Sequence, residues 1–244
     1  MRHLDRTALG PFGFALAAVG LGYWTGYRPT SQVFGPFPYE AEVDEPVVAL
    51  TFDDGPNEPY TSRLLEVLDA RGVRATFFQV GRCAERFPSA SRRVVEAGHV
   101  LGNHSYSHRF SRYVSEPRQR REIERSQQAL ATVAGVVPAL YRPPWLCHWP
   151  WVLGTIKQNG MQVVSGLFGH PLEIFQPPGW KMTTNAAKLT RPGSILIFHD
   201  GFDARGGRRD QSVAAIGPLI DILSDRGFRF VTVDELLGVP AYLE

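Results

Sequence analysis

Two adjacent acidic residues, Asp53 and Asp54, follow a short apolar segment of the chain. The segment 47–50 (VVAL) predicts a buried strand, which Gly55 and Pro56 then end. Adjacent side chains of an extended strand point in opposite directions, so one carboxylate can hold a metal while the other moves protons. Taken alone, Asp-Asp-Gly also fits a surface turn, and the choice between the two interpretations depends on residues further along the chain.

His104 and His108 are four residues apart, and the imidazole nitrogen is a common zinc ligand. On a helical turn this spacing presents both rings on one side. Together with a carboxylate from another strand end, the pair provides two nitrogen ligands and one oxygen ligand. Such a set leaves positions open for water and substrate, which is typical of a catalytic zinc site. A His pair at this spacing also arises by chance, so alone it does not define a site.

Arg142 lies at the end of a predicted strand, and His199 follows one. A buried guanidinium needs an anionic partner, and one of the two Asp residues is the natural candidate. An Asp paired in this way stays ionised, as a proton acceptor must. His199 follows the apolar run 194–198 (SILIF), a position that favours a general acid or base. The alternatives are an ordinary surface Arg and a His that only packs in the core.

The spacing of apolar residues predicts alternating strands and helices from Val47 onward. Seven strands are predicted at 47–52, 75–80, 100–102, 140–142, 162–165, 194–198 and 229–232. Helices are predicted at 61–71, 89–97, 116–134, 149–158, 183–189 and 212–225. This alternation indicates an α/β fold with a parallel, helix-covered sheet, either doubly wound or closed into a barrel. Every candidate residue lies just after one of these strands.

The motifs in combination resemble those of the polysaccharide deacetylases, the NodB-homology domain of carbohydrate esterase family 4. The matching segments are, in order, 51–56 (TFDDGP), 104–108 (HSYSH), 142–145 (RPPW) and 195–199 (ILIFH). Connecting segments such as 75–78 (ATFF) and 227–232 (GFRFVT) are similar as well, and the likeness covers roughly residues 47–238. The resemblance implies a distorted (β/α)7 barrel whose site lies at the carboxyl ends of the strands.

By this resemblance a divalent metal ion, zinc or cobalt, is bound by Asp54, His104 and His108. The resemblance also implies that Asp53 is the general base, that Arg142 holds it ionised and that His199 is the general acid. The metal would polarise water and the acetyl carbonyl, Asp53 would take a proton from the water, and His199 would protonate the departing amine.

The resemblance further implies which residues contact the substrate. Leu196 and Ile197 would line a small apolar pocket for the acetyl methyl group. Trp145, which follows the Pro143-Pro144 pair, would form one wall of the sugar groove, and Pro143 would contribute to the same surface. The sequence contains no Gly-x-Ser-x-Gly segment that would supply a serine nucleophile, so we expect no acylated residue.

The chain departs from the family at the fourth motif, which normally places an Asp and a Trp after the fifth strand. The corresponding region, 163–173 (VVSGLFGHPLE), contains no Asp. Glu173 and His170 are the candidates to replace the Asp, and Trp180 is the candidate for the aromatic wall. Without a carboxylate partner the imidazolium form of His199 is less favoured. We therefore expect a lowered pKa for His199 and weaker activity or a more acidic pH optimum.

Length and composition fit one large domain with an N-terminal appendage. The chain has 244 residues and a net charge of +2, and it lacks a basic run mixed with aromatic residues, which argues against a nucleic-acid partner. The two cysteines, Cys83 and Cys147, lack the spacing of a zinc knuckle or a disulfide framework. They would be able to pair only in an oxidising compartment.

The N-terminal residues predict a membrane anchor within residues 1–27. Positions 7–27 carry no charged residue, and a helix of that length reaches about 31 Å, the thickness of a bilayer core. Arg2 and Arg6 precede the segment, which favours a cytoplasmic N-terminus. The alternative is a signal peptide cleaved near 15–17 (ALA). Residues 28–46, with four prolines, predict an extended linker, and residues 47–244 form the predicted catalytic domain.

These observations predict a metal-dependent hydrolase that removes N-acetyl groups from amino sugars of a cell-surface polysaccharide, either peptidoglycan or a chitin-like glycan. We expect a monomer anchored in the cytoplasmic membrane by residues 7–27, with the catalytic domain outside the cytoplasm, or a secreted protein if the segment is cleaved. Two alternatives stay open: a catalytically weak or silent glycan-binding homologue, and an O-acetyl esterase on the same scaffold.

Overall fold

A computed structural model describes residues 9–244 of the chain. The helices in this range are α1 (Leu9–Gly26), α2 (Tyr60–Asp69), α3 (Gly81–Arg86), α4 (Pro88–Glu96), α5 (Glu116–Ala134), α6 (Pro150–Gln158), α7 (Gly179–Leu189), α8 (Asp210–Asp225) and α9 (Val233–Leu237). The strands are β1 (Val47–Asp53), β2 (Thr76–Gln79), β3 (Val100–Asn103), β4 (Leu140–Tyr141), β5 (Gln162–Val163), β6 (Leu167–Phe168), β7 (Ser194–His199) and β8 (Arg229–Phe230).

All pairs of neighbouring strands in the described chain are parallel. The sheet has the order β5-β4-β3-β2-β1-β7-β6, and β8 pairs with the start of β1. The prediction of a parallel, helix-covered sheet is confirmed. Because β5 and β6 form the two edges of the sheet, the barrel is open, a half-barrel rather than a closed ring of seven strands.

The central strands β1 and β7 are buried along their whole length. Helices cover the sheet, which is why these strands read as continuous apolar runs rather than alternating patterns. The outer layer of the core contains Phe52 and Leu196 of the sheet, together with Leu64 of α2 and Leu219 of α8. Burying a side chain of this size contributes roughly 1.5–3 kcal/mol, so this layer holds β1 and β7 in register.

The register of the sheet places the strand ends at one level. Asp53 at the end of β1 is opposite His199 at the end of β7, and Asn103 of β3 is opposite Tyr141 of β4. The residues that follow Asn103 and Tyr141 are the site candidates His104 and Arg142. The fold thus brings residues from distant parts of the sequence to one rim of the sheet.

All six predicted helices are present, and their ends differ from the prediction by at most four residues. Three short elements were missed: α3, α9 and β6. Each has six residues or fewer, which is too short for a periodic apolar pattern to develop. Cys83 and Cys147, both within the described range, are buried free thiols.

Helix α1 occupies most of the predicted membrane segment 7–27, and residues 7 and 8 of that segment lie outside the described residues. None of the helices described in residues 9–244 is long and apolar enough to cross a membrane. The structure therefore does not support the predicted transmembrane helix.

The segment 28–46, predicted to be an extended linker, packs against the domain instead. Phe37 is completely buried in a cluster with Tyr113 and Ile156. The Gln32 side chain donates to the Phe37 carbonyl (2.8 Å) and accepts from its N–H (2.7 Å), and the Ser165 N–H donates to the Pro38 carbonyl (2.7 Å). Its prolines indicated an extended backbone, but composition does not reveal the surface against which an extended segment packs.

Candidate active site

The carboxyl ends of β1, β3, β4 and β7 surround a pocket of about 320 Å³, within the range of small-ligand sites. The predicted site residues that line it are Asp53, Asp54, His104, His108, Pro143, Trp145 and His199. Arg142 is completely buried at the same rim. Residues from four strand ends therefore converge, as their positions in the sequence predicted.

Asp54, His104 and His108 form a cluster of three potential metal ligands. Asp54 Oδ1 lies 3.0 Å from His108 Nε2 and 3.4 Å from His104 Nε2, and one ligand atom from each residue lies within 4.8 Å of the others. Asp54 Oδ1 is buried and has no hydrogen-bond donor within the described chain. A buried carboxylate oxygen without a partner is costly. A divalent cation would satisfy it, and the oxygen and two nitrogens match a catalytic zinc site.

Hydrogen bonds and close contacts orient both imidazoles toward Asp54. His104 Nδ1 donates to the Arg142 carbonyl (2.7 Å), and His108 Nδ1 lies 3.1 Å from Asp203 Oδ1. These contacts leave Nε2 of each ring free to bind a cation. Partners of this kind fix the tautomer and the ring orientation of a metal-binding His.

Asp203 is a site residue that the sequence did not reveal. Besides its contact with His108, it donates its backbone N–H to Asp54 Oδ2 (3.0 Å). Asp203 and Ala204 both have left-handed backbones (φ 47° and 55°), and Arg82 holds this turn by donating to the Ala204 carbonyl (2.7 Å). An acidic residue in an irregular loop has no periodic signal, and only its proximity to His199 in sequence pointed to the site.

The two histidines meet through a loop and not through the helical turn that their spacing predicted. Residues 104–109 contain no helix, and Ser105 and His108 have positive φ values (67° and 49°). Ser105 Oγ accepts from the His108 N–H (3.1 Å), and Asn103 Oδ1 accepts from the Ser105 N–H (2.9 Å). Local side-chain hydrogen bonds of this type compete with helix formation.

Arg142 pairs with Asp53 and not with Asp54, which decides between the two candidates. Arg142 Nη1 donates to Asp53 Oδ1 (2.7 Å) and to Thr51 Oγ1 (2.6 Å), and Nη2 donates to the Ser165 carbonyl (2.7 Å). The two neighbouring Asp side chains therefore have different surroundings, one a guanidinium and the other two imidazoles.

Glu173 provides the carboxylate partner of His199. It lies in a short 3-10 helix, Glu173–Phe175, and is almost completely buried. His199 Nδ1 is 2.6 Å from Glu173 Oε2, and Ser212 donates to the other carboxylate oxygen. Burial alone lowers the pKa of His199, but the charge and hydrogen bond of Glu173 outweigh it and raise this pKa to about 9. The expectation of a lowered pKa was wrong, because it assumed that no carboxylate was present.

The other two candidates for the fourth motif do not take its place. His170 lines the pocket, but its Nδ1 accepts from the Leu172 N–H (3.1 Å). Trp180 is 67% exposed and is not part of the pocket wall. Phe168 forms this wall instead, since its ring lies parallel to His199 with a centroid distance of 6.4 Å.

Leu196 and Ile197 do not line the pocket. Both are completely buried, and because they are adjacent on β7 their side chains point to opposite faces of the sheet. Leu196 packs in the outer layer with Phe52, and Ile197 packs in the cluster that contains Leu146. Besides Trp145 and the prolines, the apolar residues that do face the pocket are Leu146, Phe168, Ile174 and Phe202.

Comparison with known proteins identifies the class to which this fold and site belong. The family model described as polysaccharide deacetylase matches residues 40–164. The chain belongs to this family. A peptidoglycan-N-acetylglucosamine deacetylase of Bacillus cereus is 32% identical over 222 residues, which cover 88% of this chain and 76% of that protein.

Two further matches support the same family. A chitooligosaccharide deacetylase of Azorhizobium caulinodans is 31% identical over 190 residues, covering 74% of this chain and 90% of that protein. A crystal structure of a peptidoglycan N-acetylglucosamine deacetylase superimposes with a TM-score of 0.75 at 31% identity, covering 84% of this chain and 94% of that structure. The half-barrel is therefore the fold of carbohydrate esterase family 4.

Proposed function

We propose that the chain is a metal-dependent deacetylase that removes N-acetyl groups from amino sugars of a cell-surface polysaccharide, with peptidoglycan and chitin-like glycans as the substrate class. One observation carries this proposal: a single pocket contains three side chains that could bind a metal, an Asp paired with a buried Arg, and a His paired with a Glu. The names of the relatives, which refer to peptidoglycan and chitooligosaccharides, support the substrate class.

Asp54, His104 and His108 would hold the metal ion, and zinc suits a site with one carboxylate and two imidazoles. When bound, a divalent metal supplies Lewis acidity that polarises the acetyl carbonyl and makes water more acidic. The protein supplies the buried, oriented ligands. It also keeps their Nδ1 atoms engaged by the Arg142 carbonyl and by Asp203.

Asp53 acts as the general base. Its carboxylate faces the pocket beside the metal ligands, and it takes a proton from the attacking water as the new C–O bond forms. Arg142 donates to one oxygen of Asp53 and thereby fixes its orientation. The other carboxylate oxygen remains available to the water.

His199 acts as the general acid. Its Nδ1 is engaged by Glu173, so Nε2 is the nitrogen that donates a proton to the departing amine when the C–N bond breaks. The raised pKa of His199, about 9, keeps the ring protonated at neutral pH, which an acid catalyst requires. The products are acetate and a free amino sugar.

We further propose that the domain acts outside the cytoplasmic membrane. The argument is the substrate class: a polysaccharide of the cell surface is reached only by an exported domain. Export is tested independently by locating the full chain with an antibody after cell fractionation. A catalytic domain recovered only in the cytoplasmic fraction contradicts this proposal.

The activity is tested by measuring acetate release from peptidoglycan and from β-1,4-linked N-acetylglucosamine oligomers. Zinc-loaded protein is expected to release acetate, and a chelator or Asp53→Asn is expected to abolish the release. Xylan acetate esters form the second arm of the assay, and release from esters alone would replace the amidase proposal with an O-acetyl esterase. Zinc-loaded protein that binds the oligomers but releases no acetate from any substrate would contradict an enzymatic function.

A further inference from the structure

A continuous row of aromatic side chains leads away from the pocket. We call this row, Trp145, Phe110, Trp149 and Trp151, the aromatic strip. The ring centroids are 5.5 Å apart between Trp145 and Phe110, 6.3 Å between Phe110 and Trp149, and 4.8 Å between Trp149 and Trp151. At the inner end, Trp145 contacts the metal-ligand candidate His108 at 4.5 Å. The strip is therefore continuous with the candidate active site.

Three members of the strip are open to solvent. The exposed fractions are 47% for Phe110, 39% for Trp151 and 36% for Trp145. These residues come from three separate segments: the 3-10 helix that begins at Phe110, the 3-10 helix that contains Trp145, and the first turn of α6. Large apolar side chains that are exposed singly need no explanation, but a contiguous row that begins in a pocket indicates a binding surface.

The rings are also held in place from behind. Trp151 Nε1 donates to the Tyr113 carbonyl (3.0 Å), and Trp149 packs edge-on against Tyr27 with a centroid distance of 5.5 Å. Gly26 leaves the space that the Trp149 indole occupies, since a Cβ at position 26 would clash with the indole nitrogen. A preorganised surface binds with a smaller entropy cost than one that must be ordered by its ligand.

We propose that the part of the strip beyond Trp145, formed by Phe110, Trp149 and Trp151, binds the sugar units that flank the one in the pocket. The proposal rests on the proposed function and deepens it, because it makes the protein selective for long glycans over short ones. A pyranose ring has an apolar C–H face and a polar rim, and aromatic side chains present apolar surface to match the C–H face. The pocket itself, at about 320 Å³, lies at the small end of the range for ligand sites.

The position of the strip favours a glycan over a lipid surface as its occupant. The strip is a single row that starts beside His108, so a polymer with one acetyl group in the pocket has this row in reach. A second exposed aromatic residue, Trp180 on α7, lies outside both the pocket and the strip. It therefore provides a matched control for loss of an exposed indole.

The test measures kcat and KM for acetate release as a function of oligomer length. The substrates are N-acetylglucosamine oligomers from dimer to hexamer, and the variants are Phe110→Ala, Trp151→Ala and Trp180→Ala. We expect each strip variant to raise the KM for the hexamer by about two- to tenfold and to leave the dimer unaffected. Trp151→Phe, which keeps a ring, should retain most of the preference for length, and Trp180→Ala should behave like the unaltered protein.

Binding of the hexamer to the Asp53→Asn protein, measured by calorimetry, separates this inference from the proposed function. Binding that weakens with Trp151→Ala supports the strip even if no acetate is released. Equal losses for dimer and hexamer would overturn the inference, because a structural defect does not depend on oligomer length. Hexamer binding that is unchanged in the strip variants would overturn the inference. Sedimentation with anionic phospholipid vesicles that depends on the strip would then favour a membrane surface as its occupant.

Discussion

The two halves of the pocket obtain their polar side chains in different ways. In the metal half (Asp54, His104 and His108), every residue follows directly or closely on a strand end. In the acid half (His199 and Glu173), the imidazole ends a strand, but its carboxylate comes from a 3-10 helix 26 residues earlier in the sequence. The strand ends bring the candidate site residues together, whereas the connecting segments supply the carboxylates that orient them and shift their pKa values.

Asp53, the residue before Asp54 of the metal half, and His199 of the acid half obey the same physical requirement. A buried charged group must be paired, because the free energy of desolvation otherwise exceeds what the fold can supply. Arg142 satisfies Asp53 with a hydrogen bond of 2.7 Å, and Glu173 satisfies His199 with one of 2.6 Å. The requirement does not specify which residue pairs, so a Glu in a loop meets it as well as an Asp after a strand.

The largest expected effects come from replacing one histidine in each half, and bound zinc distinguishes the two variants. His104→Ala removes a ligand, so we expect the protein to lose both bound zinc and acetate release. His199→Ala leaves the ligands intact, so we expect zinc to be retained while kcat falls about 10²- to 10⁴-fold through loss of the acid. Zinc content by elemental analysis and kcat on the hexamer are the two measurements. Zinc lost from His199→Ala would show that the halves are not separable.

The next largest effect concerns stability and tests the ion pair between Arg142 and Asp53. Arg142 is completely buried and Asp53 nearly so, and Arg142→Leu leaves the Asp53 charge without its partner. We expect a loss of about 3–5 kcal/mol in the free energy of unfolding, measured by urea denaturation of the metal-free protein. In the double variant Arg142→Leu/Asp53→Leu, much of this loss should be recovered, and a double variant that is no more stable than Arg142→Leu would refute this explanation.

The sheet and the strand-end residues were predictable from the sequence because their signals are local. Strands β1 and β7 are built around the apolar runs 47–50 (VVAL) and 195–198 (ILIF), and the strand-end positions of Asp53 and His199 follow from those runs. The six longer helices were recognised by their apolar spacing. The β6 strand, by contrast, has only two residues, which is too few to show a periodic apolar pattern.

The loop partners were not predictable, since pairing in a loop depends on backbone turns that leave no periodic signal. Glu173 was one of two candidates in the sequence, and only its position beside His199 selected it over His170. Asp203 gave no periodic signal, because its contact with His108 depends on two consecutive residues with positive φ. Leu196 and Ile197, which the resemblance placed at the acetyl pocket, are completely buried on opposite faces of β7, and neither lines the pocket.

Asp203 allows the loop contribution to the metal half to be measured directly. Its carboxylate lies 3.1 Å from His108 Nδ1, and we expect Asp203→Ala to weaken zinc binding about 10- to 100-fold. Asp203→Asn keeps a side-chain oxygen beside Nδ1 and tolerates the left-handed backbone, so its loss should be smaller. Competition with a zinc-binding dye gives both affinities without any activity assay. Equal losses for Ala and Asn would show that the negative charge, and not ring orientation, is what Asp203 contributes.

The smallest expected effect is a shift in pH dependence, and it tests the acid half alone. Because Glu173 raises the pKa of His199 to about 9, acetate release should fall as pH rises through that value and the ring loses its proton. Glu173→Gln removes the charge that raises this pKa, so the alkaline limb of kcat should move to lower pH while zinc content stays constant. The same pair stabilises the fold fully below the pKa of an unfolded His, about 6.5, and this contribution is lost as pH rises through about 9. The stability difference between the two proteins should therefore be larger at acidic than at alkaline pH. An alkaline limb that does not move in Glu173→Gln would show that another group sets it, and Glu173 would then be left with a packing role only.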